Sequence, residues 1–240
     1  MTAILAEKGI TPDYAAGLSL GEYSALQCAG VFTAPQAISL AAFRGKAMAA
    51  AAAGRPCGMT AVLGLDREKL QEAWRQAAGA GVVEIANYNC PGQLVIAGDE
   101  AAVTAAGELA KAAGARRCVP LKVSGPFHTS LMAPAGQALE ERFASETFGA
   151  EQLPVVFNCL GRARTADEEI PALLVRQVQS SVYFEDSIRW LEENGFDTVV
   201  EIGPGKALSA FVKKTAKSIR VLNVEDIPSL QATLAALKGE

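Results

Sequence analysis

Short apolar runs of strand length alternate along this chain with longer stretches whose apolar residues recur every three or four positions. Residues 2–8 read as a short helix, and Thr11-Pro12-Asp13 as a turn. Tyr14 to Leu18 is a short strand, followed by a helix from Leu20 that stops at Gly30. Thr33 and Gln36 have capping-box spacing, and Pro35 suits a first helical turn. They open a long helix ending near Gly54.

The rhythm then changes. Met59–Leu65 predicts a strand and Arg67–Ala78 a helix. Strands over Val82–Asn89 and Leu94–Ala97 flank the turn Cys90-Pro91-Gly92-Gln93, and a helix over Glu100–Ala113 leads to a strand over Arg117–Val123. The order βαββαβ is the split βαβ, or ferredoxin-like, unit. Residues 57–123 are therefore expected to form an inserted domain. After Gly125-Pro126 the first rhythm resumes, with helices over Pro134–Glu146, Ile170–Gln179, Phe184–Asn194 and Lys206–Lys217. Strands over Pro154–Asn158, Thr198–Ile202 and Ile219–Val224 alternate with them. This predicts an α/β protein with a largely parallel sheet, its large domain split between 1–56 and 124–240.

Composition narrows the class. Half of the 240 residues are hydrophobic and a fifth are charged, as in an ordinary globular protein. A net charge of -4 implies no global attraction to nucleic acid or to an anionic membrane. No stretch approaches the roughly 20 apolar residues of a membrane span, and Glu7 and Lys8 interrupt the N-terminus where a signal peptide would be apolar. The five scattered cysteines form no CxxC pair and fit a reducing compartment. A cytoplasmic protein is expected.

The chemistry starts at Gly17-Leu18-Ser19-Leu20-Gly21, a G-x-S-x-G between a predicted strand and a predicted helix. That context suits a nucleophile elbow, with the helix N-terminus aimed at a developing oxyanion. The same five residues also fit a tight connection whose serine caps the helix. A serine nucleophile needs a base, and His128 is the chain's single histidine. It follows a Gly-Pro turn where the chain leaves the inserted segment, a place where loops line clefts. Most acids between Ser19 and His128 fall on the predicted inserted domain, so a backbone carbonyl or an amide is expected to orient the histidine. Arg44 shares a helical stripe with Ala37, Leu40, Ala41, Met48 and Ala51. A guanidinium there either snorkels out or serves a substrate carboxylate.

GLSLGEYSAL (17–26), FRGKAM (43–48), NYNCPGQLVIAG (87–98), SGPFHTSLM (124–132), LLVRQV (173–178) and EIGPGKALSAF (201–211) follow one another along nearly the whole chain. In this order they resemble the landmarks of bacterial malonyl-CoA:acyl carrier protein transacylases. The resemblance implies an α/β-hydrolase-like large domain with a ferredoxin-like subdomain. It implies Ser19 as the acylated residue, His128 as its base, Arg44 as partner of the malonyl carboxylate, and Leu20 N–H as an oxyanion donor. Gln177 resembles the residue whose region supplies the carbonyl that orients the histidine. Leu18, Asn89, Phe127 and Asn158 are candidate cleft-lining residues; the family often has His where Leu18 stands, and Phe127 resembles the malonyl-type pattern.

The implied reaction is ping-pong malonyl transfer from malonyl-CoA to acyl carrier protein in fatty acid biosynthesis, with no metal or other cofactor. Lys213, Lys214 and Lys217 on a predicted helix, with Arg116 and Arg117, are candidates for docking the acidic carrier, though a solvated helix face fits them as well. The family also has a strand and a G-Q-G-S-Q-type loop several dozen residues ahead of the elbow, whose glutamine supplies a second oxyanion N–H. Met1 stands 18 residues before Ser19, so that segment is expected to be absent. Losing one such donor typically costs about 10²–10³ in rate. A monomer is expected unless another chain completes the exposed sheet edge. The rival readings are a serine thioesterase or esterase, and an inactive truncated module.

Overall fold

The computed structural model describes residues 2–238. The chain opens with α1 (Thr2–Glu7), the two-residue β1 (Ala15–Ala16), α2 (Gly21–Cys28) and the long α3 (Ala34–Ala52). Thr33 caps α3 by accepting the Gln36 N–H, while the Gln36 side chain reaches Glu146 and the Thr147 carbonyl instead of closing a capping box.

Six elements follow: β2 (Cys57–Leu63), α4 (Arg67–Ala77), β3 (Val83–Cys90), β4 (Gln93–Asp99), α5 (Glu100–Ala112) and β5 (Arg117–Pro120). Their strands pair antiparallel in the order β5-β2-β4-β3, with α4 and α5 packed together through a core that includes Val62, Leu70, Ile96 and Ala106. The last strand ends at Pro120, short of the expected Val123. From there the chain runs as an extended loop through His128 to α6 (Ala133–Phe143).

The remaining elements are β6 (Val155–Phe157), β7 (Arg162–Ala163), α7 (Ile170–Val178), β8 (Val182–Tyr183), α8 (Phe184–Glu193), β9 (Thr198–Ile202), α9 (Ala207–Thr215), β10 (Arg220–Val224) and α10 (Ile227–Lys238). The expected parallel pairings occur, but they are divided among three sheets. β1 runs parallel to β6, which pairs antiparallel with β7; β9 pairs parallel with β10; and β8 joins the five-stranded sheet parallel to β3. β1 is shorter than predicted because the chain turns away at Gly17 to form the elbow.

Helices α2, α3, α6 and α7 bury the largest core around β6, with Leu26, Leu40, Leu139, Phe157 and Leu174 wholly enclosed. A second core joins α8 and α9 to the other side of β6 through Val156, Ile188 and Val212. β8 couples the antiparallel unit to this layer. Its Tyr183 ring stacks on Tyr88 of β3 with centroids 5.2 Å apart, and Arg67 lies over Tyr88 while pairing with Asp186 of α8. These contacts set the βαββαβ segment against the elements that carry the serine.

Candidate active site

Ser19 sits at φ 52°, and His128 at φ 62°; among the described residues they are the only non-glycines at positive φ. Such a conformation costs on the order of 1–3 kcal/mol each and persists where the surroundings enforce it. The two flanking glycines of the elbow are not equivalent. A Cβ on Gly17 would lie 2.0 Å from the Gly21 carbonyl carbon, whereas a Cβ on Gly21 would meet nothing within 4 Å. Only Gly17 is needed for close backbone approach.

The turn aims Ser19 at the histidine. Ser19 Oγ lies 2.7 Å from His128 Nε2, and His128 Nδ1 lies 2.9 Å from the backbone oxygen of Gln177. A carbonyl only accepts, so Nδ1 carries the proton and Nε2 is left to accept from the serine hydroxyl. The orienting group is thus a backbone carbonyl, one of the two options read from the sequence. His128 is 4 % exposed, and burial pushes it down to about 4. The Gln177 carbonyl opposes that shift and Arg44 adds to it. The imidazole is therefore neutral, as a general base must be, across the physiological range.

The His128 loop is pinned from two sides. Thr129 Oγ1 donates to the Pro126 carbonyl at 2.6 Å, and Ser130 donates through N and Oγ to Glu84 of β3. Phe127 packs against both the largest core and the face of the antiparallel sheet that includes Met59 and Ala86.

Arg44 is 6 % exposed, so it does not snorkel out. Its Nη2 donates to Ser19 Oγ at 2.9 Å and to Gln177 Oε1 at 3.0 Å, and its guanidinium lies 5.7 Å from the Tyr23 ring centroid. Burial lowers its proton affinity, while Tyr23 and Glu22 raise it. Gln177 is completely buried and joins three parts of the site. Besides its backbone contact to His128 and its Oε1 contact to Arg44, its Nε2 donates to the Ser19 carbonyl at 2.9 Å.

Leu20 is 55 % exposed, and the hydrogen bonds that start α2 come from the N–H groups of Gly21, Glu22 and Tyr23 rather than its own. Its N–H is placed at the head of that helix. Leu18 is half-buried against the α8–α9 core, and Asn89 is buried on β3 with its Oδ1 unpartnered. Asn158, expected along the cleft, instead lies beneath the elbow: it is 1 % exposed and hydrogen-bonded to Gly17 and Ser19. Lys213 and Lys214 are exposed in the last turn of α9, and Lys217 falls beyond the helix end.

Nothing in the sequence singles out Glu22 or Tyr23. A carboxylate in a helix's first turn is ordinary, and nothing local marks Glu22 as buried. Among the described residues, no group of three or more His, Cys, Asp or Glu is placed to hold a metal ion, and no helix is long and apolar enough to cross a membrane.

An elbow serine, a neutral histidine with its proton on the far nitrogen, and a buried arginine at the serine oxygen form, in an α/β protein, the arrangement that serine-based acyl transfer requires. The chain belongs to the acyl transferase domain family, whose model matches residues 1–236. It is 41% identical over 235 residues to the malonyl CoA-acyl carrier protein transacylase of Bacillus subtilis (strain 168), covering 98% of this chain and 74% of that protein. It is 39% identical over 226 residues to the transacylase of the same name from Escherichia coli (strain K12), covering 94% and 73%.

Solved structures agree. The malonyl CoA-acyl carrier protein transacylase from Clostridium perfringens superposes with a TM-score of 0.96 at 42% identity, over 99% of this chain and 75% of that one. A malonyl-transacylase solved in complex with its type II PKS acyl-carrier protein gives 0.93 at 39% identity, over 100% of this chain and 77% of that one.

Proposed function

We propose that this chain transfers the malonyl group of malonyl-CoA to the phosphopantetheine thiol of acyl carrier protein, through a malonyl ester on Ser19. The observation that carries the reading is the buried guanidinium beside the nucleophile, Arg44 Nη2 at 2.9 Å from Ser19 Oγ. A plain acyl ester offers such a cation no partner; an acyl group with a free carboxylate does. The identity to transacylases named for this reaction supports it. Fatty acid biosynthesis is its setting, and the five free cysteines support a cytoplasmic location. Residues 57–123 act in this reading as an inserted subdomain that closes one side of the site.

The chemistry runs in two balanced halves. His128 Nε2 takes the Ser19 hydroxyl proton as Oγ attacks the thioester carbonyl carbon. The C–S bond breaks, and the coenzyme A sulfur leaves with the proton from His128. The carrier's thiol then gives its proton to His128 and attacks the ester carbonyl. The C–O bond to Ser19 breaks, and Oγ recovers the proton. Leu20 N–H meets the oxyanion in each half, where charge develops at the head of α2. Arg44 exchanges its contacts with Ser19 and Gln177 for the malonyl carboxylate, and the Gln177 carbonyl keeps the imidazole in the productive tautomer.

Intact-mass analysis after mixing with malonyl-CoA, without carrier, tests the reading. One malonyl adduct per chain should accumulate and map to the peptide containing Ser19, and Ser19→Ala should take none. His128→Ala should slow labelling by about 10³ or more. Label on a cysteine peptide, or steady hydrolysis with no adduct, would refute the assignment.

A further inference from the structure

Directly under the elbow lies a second layer of polar contacts that the reaction itself does not use. The Asn158 side chain, one residue beyond the end of β6, grips both sides of the serine. Its Nδ2 donates to the Gly17 carbonyl at 2.5 Å, and its Oδ1 accepts the Ser19 N–H at 2.5 Å. One amide thus ties together the residue that must be glycine and the residue forced to positive φ.

Asn158 is itself fixed through its backbone. Its carbonyl accepts the Tyr183 N–H at 2.8 Å, which continues the chain into β8. Its N–H has no strand partner and donates to Glu22 Oε2 at 2.6 Å. Glu22 is completely buried in the first turn of α2, three residues after the nucleophile, and its Oε1 has no hydrogen-bond partner. The contacts therefore close a ring: Ser19 turn, α2, Glu22, Asn158, and back to the Ser19 turn.

We propose that Glu22 is a positioning residue for the nucleophile, holding Asn158 so that the Asn158 amide keeps the Ser19 turn in its strained, attack-ready form. An acid with a free surface site three residues away would give the helix N-terminus the same dipole benefit at no desolvation cost. What the buried site adds is the acceptor for Asn158. Arg44, Gln177, Tyr23 and Cys159 face Glu22 from their respective segments, and burial pushes its carboxyl up to about 8 against the Asn158 N–H and Arg44. At neutral pH the group is then mostly uncharged, so an amide of the same shape serves the same role. The proposal rests on Ser19 being the residue that reacts.

The test measures Ser19 reactivity with a reagent that needs no acyl pocket. A small sulfonyl fluoride modifies an activated serine hydroxyl: the S–O bond forms, fluoride leaves, and the proton passes to His128. Its labelling rate is followed by intact mass in the parent, Glu22→Gln, Glu22→Leu and Asn158→Ala, with malonyl-CoA acylation measured alongside. Glu22→Gln keeps the acceptor oxygen and should label within about five-fold of the parent. Glu22→Leu fills the buried volume without an acceptor and leaves the Asn158 N–H unpaired; it should label about 10²-fold more slowly and melt below the parent.

Asn158→Ala leaves the backbone contact to Glu22 intact but removes both the donor to the Gly17 carbonyl and the acceptor for the Ser19 N–H. It should be slowed at least about ten-fold; should Glu22→Leu fail to fold, Glu22→Ala, which also lacks the acceptor, is labelled in its place with the same expectation. In the malonyl-CoA arm the loss should fall on the acylation rate constant, with half-saturation moved less than about three-fold, because neither side chain touches substrate. Parent-rate labelling by the variant of Glu22 that lacks an acceptor or by Asn158→Ala, or labelling by Glu22→Gln as slow as by that acceptor-less variant, overturns the proposal. A parent that reacts with the sulfonyl fluoride at Ser19 but takes no malonyl group overturns the functional reading instead and leaves the positioning result standing.

Discussion

Lowering the pH of the acylation reaction examines the His128 environment most directly. An imidazole in water protonates near 6.5, whereas burial in this site pushes His128 down to about 4. At pH 5 an imidazole with the ordinary value would be only about 3 % neutral, while one at about 4 is about 90 % neutral. Acylation under kcat/KM conditions needs the neutral base. The structure therefore predicts that between pH 8 and pH 5 the rate of malonyl-enzyme formation falls by less than about two-fold on account of His128, against about 30-fold for an unperturbed histidine. Quenched-flow mass analysis at subsaturating malonyl-CoA, with the adduct amplitude recorded at each pH as a check on folding, gives the profile.

The same shift has a stability counterpart. The folded chain binds this proton less readily than the unfolded one, so His128 contributes stability that is fully present above about 6.5 and is lost as pH falls toward 4. The gap corresponds to about 3 kcal/mol. Glu22 acts in the opposite sense, since its carboxyl is held up at about 8 and its burial becomes costlier as pH rises from 4.5. Comparing the parent with His128→Leu removes the contribution of Glu22 from the result. The parent's advantage in unfolding free energy should shrink by about 3 kcal/mol between pH 7 and pH 4. An acylation midpoint near 6.5, or a parent-minus-variant difference that does not change with pH, would show that His128 is not buried in a neutral state.

Three further substitutions follow from the geometry. Arg44→Ala should cost malonyl transfer more than acetyl transfer, by about 2–5 kcal/mol in the ratio of kcat/KM values, because a desolvated carboxylate loses its partner; equal losses for the two acyl groups would make Arg44 a structural residue only. Gly17→Ala should abolish Ser19 labelling and lower the melting temperature, since its Cβ would overlap the Gly21 carbonyl carbon at 2.0 Å, while Gly21→Ala, with open space around its Cβ, should fold with the parent's melting temperature. Equal behaviour of the two alanine variants in the melting experiment would contradict the asymmetry of the elbow.

Much of this molecule was legible in the amino-acid order, because periodicity is a property of neighbours. The order of helices and strands from α1 to β10, the Gly17–Gly21 elbow and the single histidine all rest on local patterns. Three elements escaped that reading. β7 and β8 are two residues each, too short for alternation to register, and they exist because β6 and β3 offer them ladder partners. α10 carries apolar residues on several sides, and the core it joins, with Leu5, Val224 and Leu230, is assembled from both ends of the chain.

The site divides the same way. Ser19, His128 and Arg44 could be picked out by residue type and spacing, and a carbonyl near Gln177 by resemblance. Their meeting could not, because it joins residues 109 and 25 positions apart through hydrogen bonds that only packing creates. Nor could the sequence reveal that Arg44 points inward to Ser19 and Gln177, or that Asn158 lies beneath the serine rather than along the cleft. Whether Glu22 is a solvated helix-capping acid or a buried, mostly neutral anchor depends on what covers the first turn of α2. The groups that cover it come from α3, α7 and the end of β6, and a charge is shielded or exposed by its neighbours in space, whatever their distance along the chain.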